Sequence, residues 1–368
     1  MNQVKKRNGT IELMRFVFCM LVILYHINNR LELPVVHGFT FFRNGKIGVE
    51  FFFLVSGYLM AAHAKREAAS PLLESTRNFM RRKLFGVLPF HLLTYFWCLL
   101  MTLIFLVPKG LSVVAKTALT SLPNLFLLQK WGLETTEILT PEWYIAAMLW
   151  MMLLIYPLIL RYRETFTKIA CPLFAIFLIG YMTHLDGKLG GMNRFEFGNT
   201  VPKAYLRAFA ELCGGVFCYE VTQLLRRLHW KTADRVLLTA VEIGAYAFPL
   251  YYAVSSMGQN YEAYAFYSLA VAVTLSFSEL TLTANWAKIR PVYFLGRFSL
   301  PLYFAQSVPF VLLKYAAPIK TLPNRWAILF CVAGAFAAGL LLHFAAKPIS
   351  RKLNEIAARR EATPARAS

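Results

Sequence analysis

The chain has 368 residues, of which 58% are hydrophobic and only 16% are charged, and its mean hydropathy is +0.49. A soluble domain carries about a quarter charged residues, so this composition excludes an ordinary soluble protein and indicates a polytopic membrane protein. The formal net charge of +20 does not indicate a nucleic-acid-binding protein, because the basic residues punctuate apolar segments instead of forming one patch.

Apolar runs predict the helices. A run of roughly 17–25 residues is long enough for an α-helix to cross a bilayer, and runs of this kind predict an all-α bundle of about ten transmembrane helices. The ninth run contains Pro301 and Pro309, which membrane helices tolerate when neighbouring groups satisfy the freed carbonyls. The predicted spans are 10–29, 46–64, 86–107, 141–160, 169–185, 203–223, 235–254, 263–284, 298–316 and 326–346.

The distribution of lysine and arginine predicts the orientation, since cytoplasmic loops carry an excess of both. With the N-terminus inside, most of the 39 basic residues fall in inner segments, which predicts that both termini are cytoplasmic. The basic start MNQVKKRN leads into a long apolar run without a small-residue cleavage site, so it is interpreted as a retained first helix. Residues 1–350 are predicted to form one transmembrane domain, and residues 351–368 a cytoplasmic tail with a disordered end.

The outer loops and the cysteines add little chemistry. The segment SLPNLFLLQKWG within 108–140 predicts a re-entrant or interfacial helix, and the Gly- and Asn-rich segment 186–202 predicts an irregular loop. The six cysteines lie in or beside apolar segments and include no C-x-x-C pair. They are predicted to be small packing residues, with neither a disulfide framework nor a metal site.

The first helix carries Arg15 and His26 inside an otherwise apolar segment. Eleven residues of α-helix advance about 16 Å and complete roughly three turns, so both side chains lie on one face. Each residue alone is compatible with an interfacial position, Arg15 by extending its charge to the inner surface. The aligned pair favours a polar track facing the bundle interior, with a histidine available as a general base.

The second helix contains a carboxylate and a small-residue pair. Glu50 precedes the run FFFLVSG, and a buried carboxylate needs a partner or a proton. Glu50 and His26 are both predicted near the outer side, where they could meet; the alternative for Glu50 is an interfacial charge. Ser56 and Gly57 are compatible with helix packing through small residues.

Arg81, Arg82 and Lys83 lie together before the third predicted span. They are compatible with the topology signal alone and also with binding of phosphates, for which arginine is well suited. Trp143 and Tyr144 fit an interfacial aromatic belt or a surface that stacks on a sugar.

These segments together resemble acyltransferase family 3, the integral-membrane acyltransferases that O-acetylate surface glycans. The resemblance rests on IELMRFVFCMLVILYH and on GKIGVEFFFLVSGYL at 45–59, and more weakly on FMRRKLFGVLPF, PEWYIAAMLW and FLGRFSLPLYFAQ. It spans nearly the whole chain. Gly86, Met148 and Gln306 depart from the family pattern, which indicates a subgroup distinct from the best-known glycan acetylases.

The resemblance implies an O-acyltransferase of the cell envelope, in a bacterial plasma membrane. An acyl group, most commonly acetyl, would pass from cytoplasmic acyl-coenzyme A to a hydroxyl of a cell-surface or lipid-linked polysaccharide. The residues expected to take part are His26, Arg15 and Glu50 in catalysis, Arg81, Arg82, Lys83 and Arg15 in coenzyme A binding, and His37, Ser56, Trp143 and Tyr144 in acceptor binding. The alternatives are a multi-pass transporter and a non-catalytic scaffold on the same fold.

Overall fold

The computed structural model describes residues 8–67, 70–197 and 200–362, and most of these residues are helical. Two strands of two residues each, β1 (Phe195–Glu196) and β2 (Val201–Pro202), pair in antiparallel register. The helices are α1 (Gly9–Leu31), α2 (Gly48–Arg66), α3 (Leu72–Leu106), α4 (Leu111–Leu125), α5 (Trp143–Thr165), α6 (Cys171–Asp186), α7 (Lys203–Leu225), α8 (Thr232–Val254), α9 (Glu262–Ser278), α10 (Thr283–Trp286), α11 (Arg290–Ala305), α12 (Ser307–Tyr315), α13 (Ala317–Lys320) and α14 (Asn324–Ala362).

The all-α membrane architecture predicted from the apolar runs is confirmed. By length and apolar composition, six helical stretches in the described residues can cross a membrane, so the predicted count of about ten is not confirmed by this measure. The ninth predicted span consists of two helices, α11 and α12, with a break at Gln306. The six stretches are Gly9–Leu31, Gly45–Arg66, Leu72–Lys109, Trp143–Asp186, Thr232–Val254 and Asn324–Ile356.

The chain divides into two compact units, of which the first comprises Met1–Thr76, Lys130–Gly132 and Trp143–Leu300. Within it, α7 packs against α2, α5, α6 and α9, and α8 packs against α9. The run from α5 to α6 bends at Arg163, whose backbone is not helical, and continues through a π-helical segment at Phe166–Ala170. Helix α7 is therefore the central element of this unit.

Helices α2 and α7 come into backbone contact at a pair of glycines. A Cβ atom on Gly57 would lie 3.0 Å from the Cα of Gly215 and still closer to the carbonyl oxygen of Leu212. A Cβ on Gly215 would lie 2.9 Å from the Cα of Gly57. Small residues allow such backbone contact between membrane helices, so Gly57 serves the packing role that its sequence context suggested.

The second unit comprises Arg77–Gln129, Leu133–Glu142 and Pro301–Ser368. Its α12 packs on α14, where a Cβ on Gly334 would lie 3.1 Å from the Cβ of Pro309. Tyr95 of α3 and Ser121 of α4 share a hydrogen bond of 2.8 Å between their hydroxyls. Helix α4 overlaps the segment predicted to be an interfacial helix, SLPNLFLLQKWG at 121–132, only over its first five residues, and residues 126–132 are not helical.

Two helices extend beyond their apolar runs. Helix α3 begins at Leu72, so Arg81, Arg82 and Lys83 lie on a helix and not in a loop. Helix α14 continues to Ala362, so most of the predicted tail is helical, and its end lies outside the described residues. An apolar run marks the part of a helix suited to lipid, whereas the helix itself continues through polar turns.

Candidate functional site

Helix α1 is unbroken from Gly9 to Leu31, so Arg15 and His26 lie on one helix as the sequence predicts. Asn8 caps its start, with Oδ1 accepting a hydrogen bond of 3.0 Å from the backbone N–H of Ile11. Arg15 is half-buried, and its Nη1 lies 3.6 Å from Oε1 of Glu12 in the preceding turn. His26 is half-buried, with the ring of Tyr25 at 5.0 Å between centroids.

Glycines of two sequence motifs bring neighbouring helices onto α1. A Cβ on Gly48 would lie 2.8 Å from Cγ2 of Val22, and one on Gly45 would lie 3.1 Å from the Cβ of Tyr25. A Cβ on Gly296 would lie 2.6 Å from the Cβ of Glu12. Only glycine permits these contacts, so the start of α2 lies against the part of α1 that leads to His26, and α11 lies against the turn that carries Glu12.

Arg15 lines a cavity of about 700 Å³ in the first unit. Most ligand pockets in proteins have volumes of about 300–1,000 Å³. Three further cations line the same cavity, Lys65 and Arg66 in the last turn of α2 and Arg226 just after α7. Because Asn8 also lines it, the cavity lies at the end of the unit where α1 begins, which the charge distribution predicts to face the cytoplasm.

Glu50, near the other end of α2, belongs to a buried cluster of charges. Its Oε1 accepts a hydrogen bond from Nη2 of Arg207, and Nε of Arg207 donates to Oε1 of Glu211 at 2.6 Å. Lys46 lies 3.0 Å from Oε2 of Glu262, which also accepts from the backbone N–H of Leu189 at 3.0 Å. The members of this charge cluster are Lys46, Glu50, Arg207, Glu211 and Glu262.

The charge cluster joins three helices through ions that are removed from solvent. Glu50, Glu211 and Glu262 are fully buried, and Arg207 is 2% exposed. Buried charges are stable in proteins when they are paired and hydrogen-bonded, and one guanidinium here serves carboxylates on α2 and on α7. Trp143, predicted to bind the acceptor, lies beside it, with its ring 5.8 Å from Cζ of Arg207.

The other residues predicted to bind the acceptor are dispersed in the first unit. His37 is exposed and, with Gly38, has a positive φ. These two residues form the tip of a tight turn closed by hydrogen bonds of 2.9 Å between Val36 and Phe39. Ser56 is half-buried on α2. Tyr144 is buried against Phe53, with edge-to-face rings at 5.2 Å.

The predicted phosphate-binding segment belongs to the second unit. Arg82 is exposed, and Arg81 and Lys83 are half-buried on α3. Nζ of Lys83 lies 5.6 Å from the ring of Phe79, one turn earlier. Gly86, where the resemblance leads one to expect a second arginine, has no other atom within 4 Å of the position of a Cβ.

The second unit contains a buried histidine–carboxylate pair that the sequence analysis did not select. His91 is fully buried; its Nε2 lies 3.0 Å from the carbonyl oxygen of Leu125, and its Nδ1 lies 2.8 Å from Oε2 of Glu142. A carbonyl oxygen only accepts, so Nε2 carries a hydrogen. Both ring nitrogens are engaged, and Nδ1 and the carboxyl group share a proton. His91 is thus held as a structural element.

Gln306 and the cysteines, which the sequence also singled out, are all buried. Nε2 of the buried Gln306 donates a hydrogen bond of 2.7 Å to the carbonyl of Tyr303, at the break between α11 and α12. All six cysteines are free and buried. Among the described residues, no group of three or more histidine, cysteine, aspartate or glutamate side chains could hold a metal ion.

Arg207 is the residue of the first unit that sequence reasoning missed. Its spacing to Glu211 was the available signal, since an Arg and a Glu four residues apart share one face of a helix. The structure brings Glu50 and Trp143 together around Arg207, and it places Arg15 in the basic cavity. Arg207, on α7, is thus identified through its hydrogen bond to Glu50.

A comparison with models of known families matches residues 8–344 to the model described as "Acyltransferase domain" of the third acyltransferase family. The match covers nearly the whole chain and includes both units. No curated protein and no solved structure matches the chain.

Proposed function

Because the chain belongs to acyltransferase family 3, we propose that this membrane acyltransferase moves an acyl group, most commonly acetyl in the family, from acyl-coenzyme A to a hydroxyl. The donor binds on the cytoplasmic side. The acceptor is a cell-surface or lipid-linked glycan reached from the opposite side of a bacterial plasma membrane. The reaction requires no metal ion, since the attacking group is a hydroxyl and a histidine can remove its proton.

The cavity at Arg15 is the observation that carries this proposal. A non-catalytic scaffold would bury both Arg15 and His26 by packing, whereas a donor site needs an open space with a cationic rim. Of these two residues, Arg15 lines the cavity and His26 is not part of its described lining. Arg15 lies at the wall of a cavity of about 700 Å³ whose lining includes Lys65, Arg66 and Arg226. The Arg15 side chain is about 30% exposed, so its guanidinium can donate to a group bound in the cavity.

His26 and Arg15 have different proposed roles at two positions on α1. The thioester end of the donor extends from Arg15 toward His26, about 16 Å along the helix. Neutral His26 accepts the proton of the acceptor hydroxyl as the oxygen attacks the thioester carbonyl, and the coenzyme A thiolate leaves. Arg15 holds the donor in position by charge-assisted hydrogen bonds.

Glu50 has an electrostatic role near the predicted outer end of α1. Arg207 fixes its carboxylate, and Gly45 and Gly48 bring the start of α2 against α1. The proposed role of Glu50 is to favour, through the charge cluster, the imidazolium that forms on His26 during proton transfer.

The acceptor is proposed to bind from the predicted outer side. His37 and Ser56 offer polar groups to the sugar hydroxyls. Trp143 offers an aromatic face on which a sugar ring can stack, whereas Tyr144, buried against Phe53, supports that surface by packing.

Thioester hydrolysis and exchange by the purified protein test the proposal without knowledge of the acceptor. The full chain in nanodiscs is incubated with acetyl-coenzyme A, beside His26→Ala and Arg15→Ala. The parent is expected to turn over the thioester. His26→Ala is expected to lose turnover while retaining coenzyme A binding, and Arg15→Ala to lose both.

The control is His184→Ala, a histidine near the end of α6 to which no role is assigned, with turnover expected at the parent's rate. A parent that neither binds nor turns over acyl-coenzyme A would contradict the donor assignment. Full turnover by a folded His26→Ala would contradict the role of His26.

A further inference from the structure

The cavity at Arg15 has a charged rim. Its lining carries four cations, Arg15, Lys65, Arg66 and Arg226, and two carboxylates, Glu12 and Glu279. Glu12 is paired with Arg15. The cations at the rim therefore exceed the carboxylates that could neutralise them, which favours an anionic ligand.

The rim cations differ in how firmly they are held. Nη2 and Nε of Arg226 donate to the carbonyls of Phe277 and Ser278 at 2.6 and 3.2 Å, so this guanidinium is fixed at the end of α9. Lys65 and Arg66 are exposed in the last turn of α2. Two side chains are thus free to close on a ligand beside one that is fixed.

The wall of the cavity is aromatic. The rings of Tyr58 and Phe277 stack with their centroids 3.7 Å apart and their planes 5° apart, and Tyr219 meets Tyr58 edge-on at 5.4 Å. All three side chains line the cavity. These rings form an aromatic wall below the cationic rim, and the rim suits a ligand that carries phosphates, because arginine forks bind phosphate oxygens.

We propose that Lys65 and Arg66, with Arg226, bind the phosphates of the donor nucleotide, so that its arm enters the protein past Arg15. This inference rests on the proposed function, since the nucleotide is that of acyl-coenzyme A. It assigns the phosphates to the end of α2 and not to Arg81, Arg82 and Lys83, the segment that the sequence suggested. Coenzyme A carries a 3′-phosphate and a diphosphate, which match exposed cations of this kind.

A neighbouring cavity of about 650 Å³ supplies the matched control. It shares Lys65, Tyr219 and Gln223 with the first, but Arg163 and Arg227 line only the second. Arg227 is a basic residue next to Arg226 in sequence, so Arg227→Gln changes charge at the same end of the unit and leaves the first cavity intact.

The experiment compares two ligands, coenzyme A and dephospho-coenzyme A, which lacks the 3′-phosphate. Their binding to the full chain in nanodiscs is measured by calorimetry for the parent, Arg66→Gln, Lys65→Gln, Arg227→Gln and Arg82→Gln. A charge-assisted hydrogen bond is worth about tenfold or more in affinity. Arg66→Gln or Lys65→Gln is expected to weaken coenzyme A binding by about tenfold and to reduce the preference for coenzyme A over dephospho-coenzyme A. Arg227→Gln is expected to retain both.

The outcomes separate this inference from the proposed function. If the parent binds neither ligand, the donor assignment fails and the inference fails with it. If the parent binds coenzyme A and both α2 variants bind it as the parent does, the phosphates lie elsewhere and only the inference is overturned. The same conclusion follows if Arg82→Gln alone removes the preference for coenzyme A over dephospho-coenzyme A. An equal loss for both ligands, with a lower melting temperature, would show a structural role and would also overturn it.

Discussion

Replacing Gly57 with alanine tests the backbone contact between α2 and α7 in the first unit. The new methyl group would lie 3.0 Å from the Cα of Gly215 and against the carbonyl of Leu212. Carbon atoms pack best at about 3.5–4.0 Å, so α2 and α7 must separate by roughly 0.5–1 Å. Both contacts are with backbone, and no side chain can rotate away to relieve them.

The expected cost follows from two opposing effects. Overpacking a well-packed contact destabilises by about 1–3 kcal/mol. Alanine is favoured over glycine inside a helix by about 0.5–1 kcal/mol. Because the clash is with backbone, the overpacking effect lies toward the upper end of its range, and Gly57→Ala is expected to destabilise by about 2 kcal/mol. This is roughly a 30-fold change in the unfolding equilibrium.

Reversible unfolding in mixed micelles of increasing SDS content measures this difference. Gly244→Ala on α8 is the control, since no atom outside the adjacent residues and backbone of its own helix lies within 4 Å of the position of its Cβ, and it is expected to be neutral or slightly stabilising. Gly57→Ala combined with Gly215→Ala is expected to cost less than the sum of the two, because both separate the same helices. Equal stability of Gly57→Ala and Gly244→Ala would refute the reasoning.

Three further predictions concern the buried polar groups. Arg207→Gln leaves Glu50 without its guanidinium partner and is expected to destabilise the protein by about 3–5 kcal/mol in the same unfolding assay. The control Lys116→Gln breaks an exposed ion pair and should leave stability nearly unchanged; equal effects of the two substitutions would contradict the pairing of Arg207 with Glu50. Glu142→Gln can still donate to Nδ1 of His91 and is expected to be more stable than Glu142→Ala by about 1–3 kcal/mol, and the reverse order would contradict this hydrogen bond. Because all six cysteines are buried, a membrane-impermeant maleimide is expected to leave the folded protein unlabelled and its thioester turnover unchanged, as mass spectrometry and the turnover assay would show; labelling before unfolding would contradict their burial.

The fold was predictable where local sequence decides it. The lengths of the apolar runs predicted the helices, since a lipid-facing helix must satisfy its backbone internally. The ends of α3 and α14 were not predictable in this way, because their terminal turns are polar and amphipathic. The break at Gln306 was signalled by the prolines on either side, Pro301 and Pro309.

The candidate site was predictable only in part, because its charges meet across long stretches of sequence. Arg15 was identified from the cost of an ion in an apolar helix, and its place in a basic cavity agrees with that reasoning. Lys46 and Glu262 are 216 residues apart, and no local pattern indicates that they form a pair. Nor does a pattern link His91 to Glu142, which are 51 residues apart.

The separation of Glu50 from Arg207 has a consequence for how the protein is made. Their hydrogen bond joins residues 157 positions apart, and ribosomes add about 5–20 residues per second. Glu50 is therefore added to the chain roughly 8–30 s before its partner Arg207. During this interval α2 carries an unpaired carboxyl group, which opposes its release into lipid. The second helix is thus expected to remain at the insertion machinery, or to enter the bilayer protonated, until α7 arrives.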